Sequence, residues 1–119
     1  MGDKLGSVPP FEFGQILKQG RGVRTETLAG HALPRSDSGP SRFGWVVAAK
    51  VGPAVCRNRL KRRLRAIVWM AGEQILPGFD YVIVARSGAG DASYQKLQED
   101  LFVIVNRLGS GGSEGGRRG

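Results

Sequence analysis

The chain has little of what a protein active site is usually built from. Its 119 residues include one cysteine, Cys56, and one histidine, His31. A single cysteine excludes an intramolecular disulfide framework and CxxC-type metal knots. It also makes a reducing, cytoplasmic setting the natural expectation. A single histidine excludes the paired imidazoles of a general acid–base nuclease. No acidic residue occurs between Asp37 and Glu73, and Asp80, Asp91, Glu99 and Asp100 are scattered near element ends. Clustered carboxylates for catalytic metals are therefore not in evidence. No P-loop or GxGxxG element occurs, and no segment repeats. No apolar run approaches the roughly 18 residues of a membrane span. The opening MGDKLGSVPP lacks the apolar core of a signal peptide. Gly6 stands where a myristoylation motif needs Ser or Thr.

What the chain does have is positive charge in one place. Eighteen Lys/Arg against ten Asp/Glu give a net charge of +8. Eight of the basic residues (Arg42, Lys50, Arg57, Arg59, Lys61, Arg62, Arg63, Arg65) fall in the acid-free stretch, so the remainder carries ten of each sign and nearly cancels. Such charge bears on partners rather than on fold. The length fits one domain with one modest core.

The first ten residues read as a flexible lead-in, 11–108 as the folded domain and 109–119 as a disordered Gly/Ser/Arg tail. FEFGQILKQG predicts a short helix closed by Gly20, with Phe13, Ile16 and Leu17 at i, i+3 and i+4. Residues 23–33 alternate as one strand or two short ones, and 34–41 is loop chemistry. RFGWVVAAKV (42–51) reads as a strand. A helix is expected from about Pro53 to Ile75, with Leu60, Leu64, Ile67, Val68, Ala71 and Ile75 in one apolar stripe. DYVIVAR (80–86) reads as a buried central strand. Ser93 is placed to cap a final helix carrying Leu97, Leu101, Val105 and Leu108 on one face. The class is α+β, one sheet packed by helices.

The basic charge sits on the long helix, in AVCRNRLKRRLRA. At about 100° per residue, Asn58, Arg59, Lys61, Arg62 and Arg65 cover the side away from the stripe. Arg57 falls inside the apolar sector at the first turn, and Arg63 lies near the core boundary, where its stem can snorkel. A helix needing only solubility mixes Glu with Lys. Here like charges face each other at 57/61, 59/63 and 61/65, near an amino end where the macrodipole disfavours cations. Phosphates on a partner would reverse both costs. Arginine's planar fork suits bidentate phosphate contacts and stacking on bases, and Asn58 adds an uncharged donor and acceptor. The residues alone thus point to a nucleic-acid-binding domain without catalytic machinery. Six phosphate contacts would give a log–log salt slope of about −4 to −5. A membrane-surface protein is a more distant reading, because the aromatic lipid-facing side is missing. Cys56 reads as a structural thiol at the core edge.

Around RFGWVVAAKVGPAVCRNRLKRRLR the chain resembles the protein component of bacterial ribonuclease P. That family carries an Arg-Asn-Arg helix after a strand ending in Lys-x-Gly-x-Ala-Val, matched here by Lys50, Gly52, Ala54, Val55, Arg57, Asn58 and Arg59, then Lys61, Arg62 and Arg65. EFGQILKQG, PGFDYVIVARSGAG and SYQKLQEDL match the flanking elements, so the likeness spans about residues 11–108. It implies an α-β-β-β-α-β-α fold with a left-handed β-α-β crossover, against the usual handedness. It also implies a ribonucleoprotein in which a catalytic RNA, using Mg²⁺ bound mainly by that RNA, removes the 5′ leader of precursor tRNA. Neither DNA nor a membrane is expected as a partner. By the same resemblance, Arg57, Asn58, Arg59, Lys61, Arg62 and Arg65 contact the catalytic RNA. Phe13, Leu17, His31, Arg42, Lys50 and Arg86 line a cleft for the leader. Leu17 stands where many members have Phe, and His31 where Tyr is common. Ala48 and Ala49 replace polar or basic residues, and Pro53 replaces a frequent Asn. A non-catalytic or ribosome-associated RNA-binding protein is the alternative.

Overall fold

The computed structural model describes residues 5–37 and 39–110. Five strands, β1 (Gly6–Ser7), β2 (Arg21–Arg24), β3 (Leu28–Pro34), β4 (Arg42–Val46) and β5 (Phe79–Ala85), form one mixed sheet in the order β1-β4-β5-β3-β2. β4 and β5 are adjacent and parallel, while β5, β3 and β2 run antiparallel in turn. Three α-helices join them: α1 (Phe13–Gln19), α2 (Ala54–Ala71) and α3 (Tyr94–Val105). The central position expected of DYVIVAR is realised, since β5 lies between β4 and β3 and is almost wholly buried.

Side-chain alternation along the strands gives the sheet two unequal faces. Leu28, Ala32, Phe43, Tyr81, Ile83 and Ala85 point to the main core. There they meet the α2 stripe of Leu60, Leu64, Ile67, Val68 and Ala71, with Ile75 just beyond it, and Leu97, Leu101, Ile104 and Val105 of α3. The 3.6-residue period therefore predicted the buried face of α2. Phe43 stacks on Tyr81 at 4.7 Å between ring centroids. The close seat of α3 on the sheet requires a glycine in β3: a Cβ at Gly30 would lie 2.3 Å from Ile104 Cγ2. The opposite face carries a smaller cluster, Val8, Ile16 and Val82, with Phe13, Leu33, Val46 and Val84 around it.

Several boundaries differ from the sequence expectation. Within the segment expected to be a flexible lead-in, Gly6–Ser7 pair in parallel with Arg42–Phe43, and Val8 is buried. Residues 21–34 form a hairpin, with Thr25 Oγ1 and the Leu28 amide and carbonyl closing the turn. The strand expected over 42–51 ends at Val46, and Ala49–Val51 make a single 3₁₀ turn that redirects the chain into α2. Pro53 caps α2 instead of occupying its first turn. The helix ends at Ala71, and a 3₁₀ turn carries the chain to Ile75. Ser93 Oγ accepts the Lys96 amide at 3.0 Å, as its capping position predicts. The regular α-helix of α3 stops at Val105, followed by a wider turn over Asn106–Ser110. Residues 111–119, most of the expected disordered tail, lie outside the described residues.

The Tyr81 hydroxyl is buried with no hydrogen-bond partner among the described residues, and burial pushes its pKa up to about 12. An unmet buried hydroxyl costs roughly 1–3 kcal/mol. Tyr81→Phe should therefore leave the thermal unfolding midpoint unchanged or raise it. A clear drop would reveal a partner for the hydroxyl.

Candidate nucleic-acid interface

Two surfaces carry the candidate residues. The first is the outward face of α2. Asn58, Arg59, Arg62 and Arg65 are exposed, while Arg57, Lys61 and Arg63 are half-buried at its flanks. Among the described residues none of the six cations from Arg57 to Arg65 pairs with an acid. Arg57, predicted inside the apolar sector, escapes the core by turning back: its Nη1 donates to the Gly52 carbonyl at 2.8 Å. Cys56 is half-buried at the edge of this face, with Arg59 Nη2 3.6 Å from Sγ. The helix thus offers a strip of unneutralised guanidinium groups on a rigid element. That arrangement suits a run of phosphates.

The second surface is the sheet face opposite the main core. α1 crosses one half of it. Phe13 lies over β4, where a Cβ at Gly44 would come within 2.4 Å of its ring, so only glycine there lets the ring reach the sheet. Ile16 is buried against Val82, and Gly20 ends the helix against Ala32 of β3. The other half of the face stays open. Its floor is half-buried, with Val46, Val84, Ala29 and His31, and a hollow beside it is lined by Gly22, Arg24, Ala29 and His31. Leu17, 38% exposed, stands on the α1 rim. The His31 ring lies over Gly22 of the neighbouring strand. Burial holds its pKa below the usual imidazole value, so at neutral pH it offers an uncharged ring.

The cations assigned to the cleft divide. Lys50, exposed in the turn after β4, and Arg86, just after β5, lie at the end of the sheet where both parallel strands finish. Arg86 Nη1 also donates to the Thr25 carbonyl, which ties it to the β2–β3 turn at that end. Arg42 lies at the other end, and its guanidinium is committed. Nε and Nη2 grip Asp80 at 2.8 and 2.7 Å, and Nη2 also reaches Glu12 at 2.9 Å. Those carboxylates raise its pKa further. Arg42 is thus a strut between β4, β5 and the segment entering α1, and the structure does not bring it together with Lys50 and Arg86. Arg24, not singled out from the sequence, lies on the open face at the Lys50 and Arg86 end. It is exposed on the open face, in register with Ala29 and two residues from Gly22. Strand alternation could have found it, because Arg24 shares its side of the strand with Gly22.

Among the described residues no three His, Cys, Asp or Glu side chains converge.

The family model for ribonuclease P matches residues 9–109. The chain is 39% identical over 104 residues to the ribonuclease P protein component of Gluconacetobacter diazotrophicus, covering 87% of this chain and 90% of that one. It is 36% identical over 96 residues to the protein component of Shouchella clausii, covering 81% and 79%. The solved ribonuclease P protein of Thermotoga maritima superposes with a TM-score of 0.79 at 27% identity, covering 86% of this chain and 96% of that one. Unpaired arginines on α2, an open sheet face beside α1, and these likenesses over nearly the whole domain agree: the chain belongs to the ribonuclease P protein family.

Proposed function

We propose that the chain acts as the protein subunit of ribonuclease P by presenting its two surfaces to two RNAs. The exposed face of α2 binds the catalytic RNA, and the open half of the sheet face beside α1 holds the 5′ leader of precursor tRNA. The observation that carries this division is the contrast in chemistry. α2 offers cations that have no acidic partner among the described residues, on a convex helix. The trough offers an apolar floor, an uncharged His31 ring, Phe13 at its edge, and cations at one end, from Lys50, Arg86 and Arg24. A folded RNA surface dense in phosphates suits the first, and a single strand with splayed bases suits the second. The hydrolytic chemistry is proposed to lie with the RNA and with Mg²⁺ held mainly by it, since among the described residues no three His, Cys, Asp or Glu side chains converge. Its contribution is positioning, by holding leader and catalytic RNA in one geometry. Cytoplasmic action follows from such a substrate. No helix among the described residues is long and apolar enough to cross a membrane.

The test is reconstitution with a bacterial ribonuclease P RNA and a precursor tRNA at low Mg²⁺. The protein should raise 5′ processing well above RNA alone. No gain would favour a non-catalytic RNA-binding role. The two surfaces should also separate: Phe13→Ala should raise the apparent KM for precursor about tenfold, a stacked base being worth about 1–3 kcal/mol, with assembly onto the RNA unchanged. Arg59→Ala should do the reverse. Equal effects of both variants on both readouts would refute the division.

A further inference from the structure

The basic strip on α2 does not end with its last arginine. α2 continues as a regular helix to Ala71. At about 100° per residue, Arg62, Arg65 and Trp69 all lie within about 40° of Asn58. Trp69 is 59% exposed, although it belongs to the residue type with most to gain from burial. The stripe that packs on the sheet, Leu64, Ile67, Val68 and Ala71, lies on the other side of the same turns. Trp69 is therefore the ring at the far end of the cationic face, about 6 Å along the axis beyond Arg65.

We propose that Trp69 is a base-stacking residue of the RNA interface: it stacks on an unpaired base of the catalytic RNA whose neighbouring phosphates are held by Arg62 and Arg65. The inference rests on the assignment of α2 to that RNA and extends it with a contact of different chemistry. An indole face next to guanidinium groups is the combination that binds unstacked bases, the ring supplying stacking and the cations holding the backbone. The strip's charge argues against a second copy of the chain as the occupant. A two-fold contact centred on Trp69 would bring Arg62 and Arg65 of both copies together, like charges that repel. A single-stranded kink or bulge in RNA brings the compensating charge with the base.

The experiment uses the full chain and a bacterial ribonuclease P RNA transcript. The chain has two tryptophans, so Trp45→Phe leaves Trp69 as the sole indole fluorophore. Saturating RNA should quench its emission and shield it from acrylamide. Trp69→Leu, an apolar side chain that cannot stack, should weaken assembly about tenfold, and Trp69→Phe should recover most of that loss. The log–log salt slope should be unchanged in Trp69→Leu, whereas Arg62→Ala should make it shallower by about 0.7–0.9. Emission unmoved at saturation, or Trp69→Leu assembling as tightly as its parent, would overturn the proposal. So would loss of self-association in sedimentation with unchanged RNA affinity, which would make Trp69 a contact between copies. If Arg62→Ala also left affinity and slope unchanged, the assignment of α2 itself would be at fault, not Trp69 alone.

Discussion

With Arg59, Arg62 and Arg65 all replaced by alanine, assembly with the catalytic RNA should weaken at least about a hundredfold near physiological salt. Charge-assisted hydrogen bonds contribute about 1.5–3 kcal/mol each. These three side chains are exposed and have no acidic partner within the described protein to share them with. The salt dependence identifies the cause. Three lost phosphate contacts should make the log–log slope shallower by roughly 2–3. The folded protein should not suffer. Like charges recur at i, i+4 along this helix, and relieving them should hold or slightly raise the thermal midpoint. Titration of labelled RNA at several salt concentrations, with a melting curve of the free protein, reads all three quantities. A triple variant that binds as tightly as the parent, with an unchanged slope, would place the RNA elsewhere on the protein.

Asp100→Ala should act in the opposite way, costing stability about 3 kcal/mol while touching neither RNA surface. The Asp100 carboxylate is buried beneath the β2–β3 turn. There it accepts the Thr27 hydroxyl at 2.6 Å and the Thr27 amide at 3.1 Å, and Lys96 Nζ lies 3.3 Å away. Deleting it strands the Thr27 donors without water, which is the expensive way to lose a charged hydrogen bond. For a domain of this size the midpoint should fall about 10 °C. Asp100→Asn keeps an acceptor for Thr27 and should lose about half as much. The same site sets an acid limit. Burial alone would push the Asp100 pKa up, but the hydrogen bonds from Thr27 and Lys96 outweigh it and hold it below the ordinary 3.8. A depressed carboxyl contributes stability that is complete above its unfolded pKa and is lost as pH falls through the folded one. The wild-type stability should therefore decline below about pH 4, and the Asp100→Asn profile should be flatter there. Parallel profiles for the two proteins would remove Asp100 as the source.

The strongest local periods were legible from residues alone. The α2 stripe, the buried DYVIVAR strand, the Ser93 cap and the outward placement of Asn58, Arg59, Arg62 and Arg65 follow from spacing and residue chemistry. The structure places each as that spacing predicts. The departures share one cause. The run from Val46 to Val51 is apolar but for Lys50 and reads as strand, yet it must turn to feed α2, and only the position of β5 says where. Gly6–Val8 looks featureless until β4 offers it an open edge.

Arg42 shows the limit most clearly. Its charge was visible in the sequence, but its partners, Glu12 and Asp80, are 30 and 38 residues away. Whether a cation is free for RNA or spent inside the protein is decided by contacts of that separation. His31 is similar, because its lowered pKa comes from burial against the sheet. The sequence by itself determined that the chain is a small α+β domain with a unipolar helix, and hence a partner rich in phosphates, because period and charge are local properties. Tertiary structure alone decided which cations remain unpaired and which half of the sheet face stays open, because both depend on strands and helices brought together from distant parts of the chain.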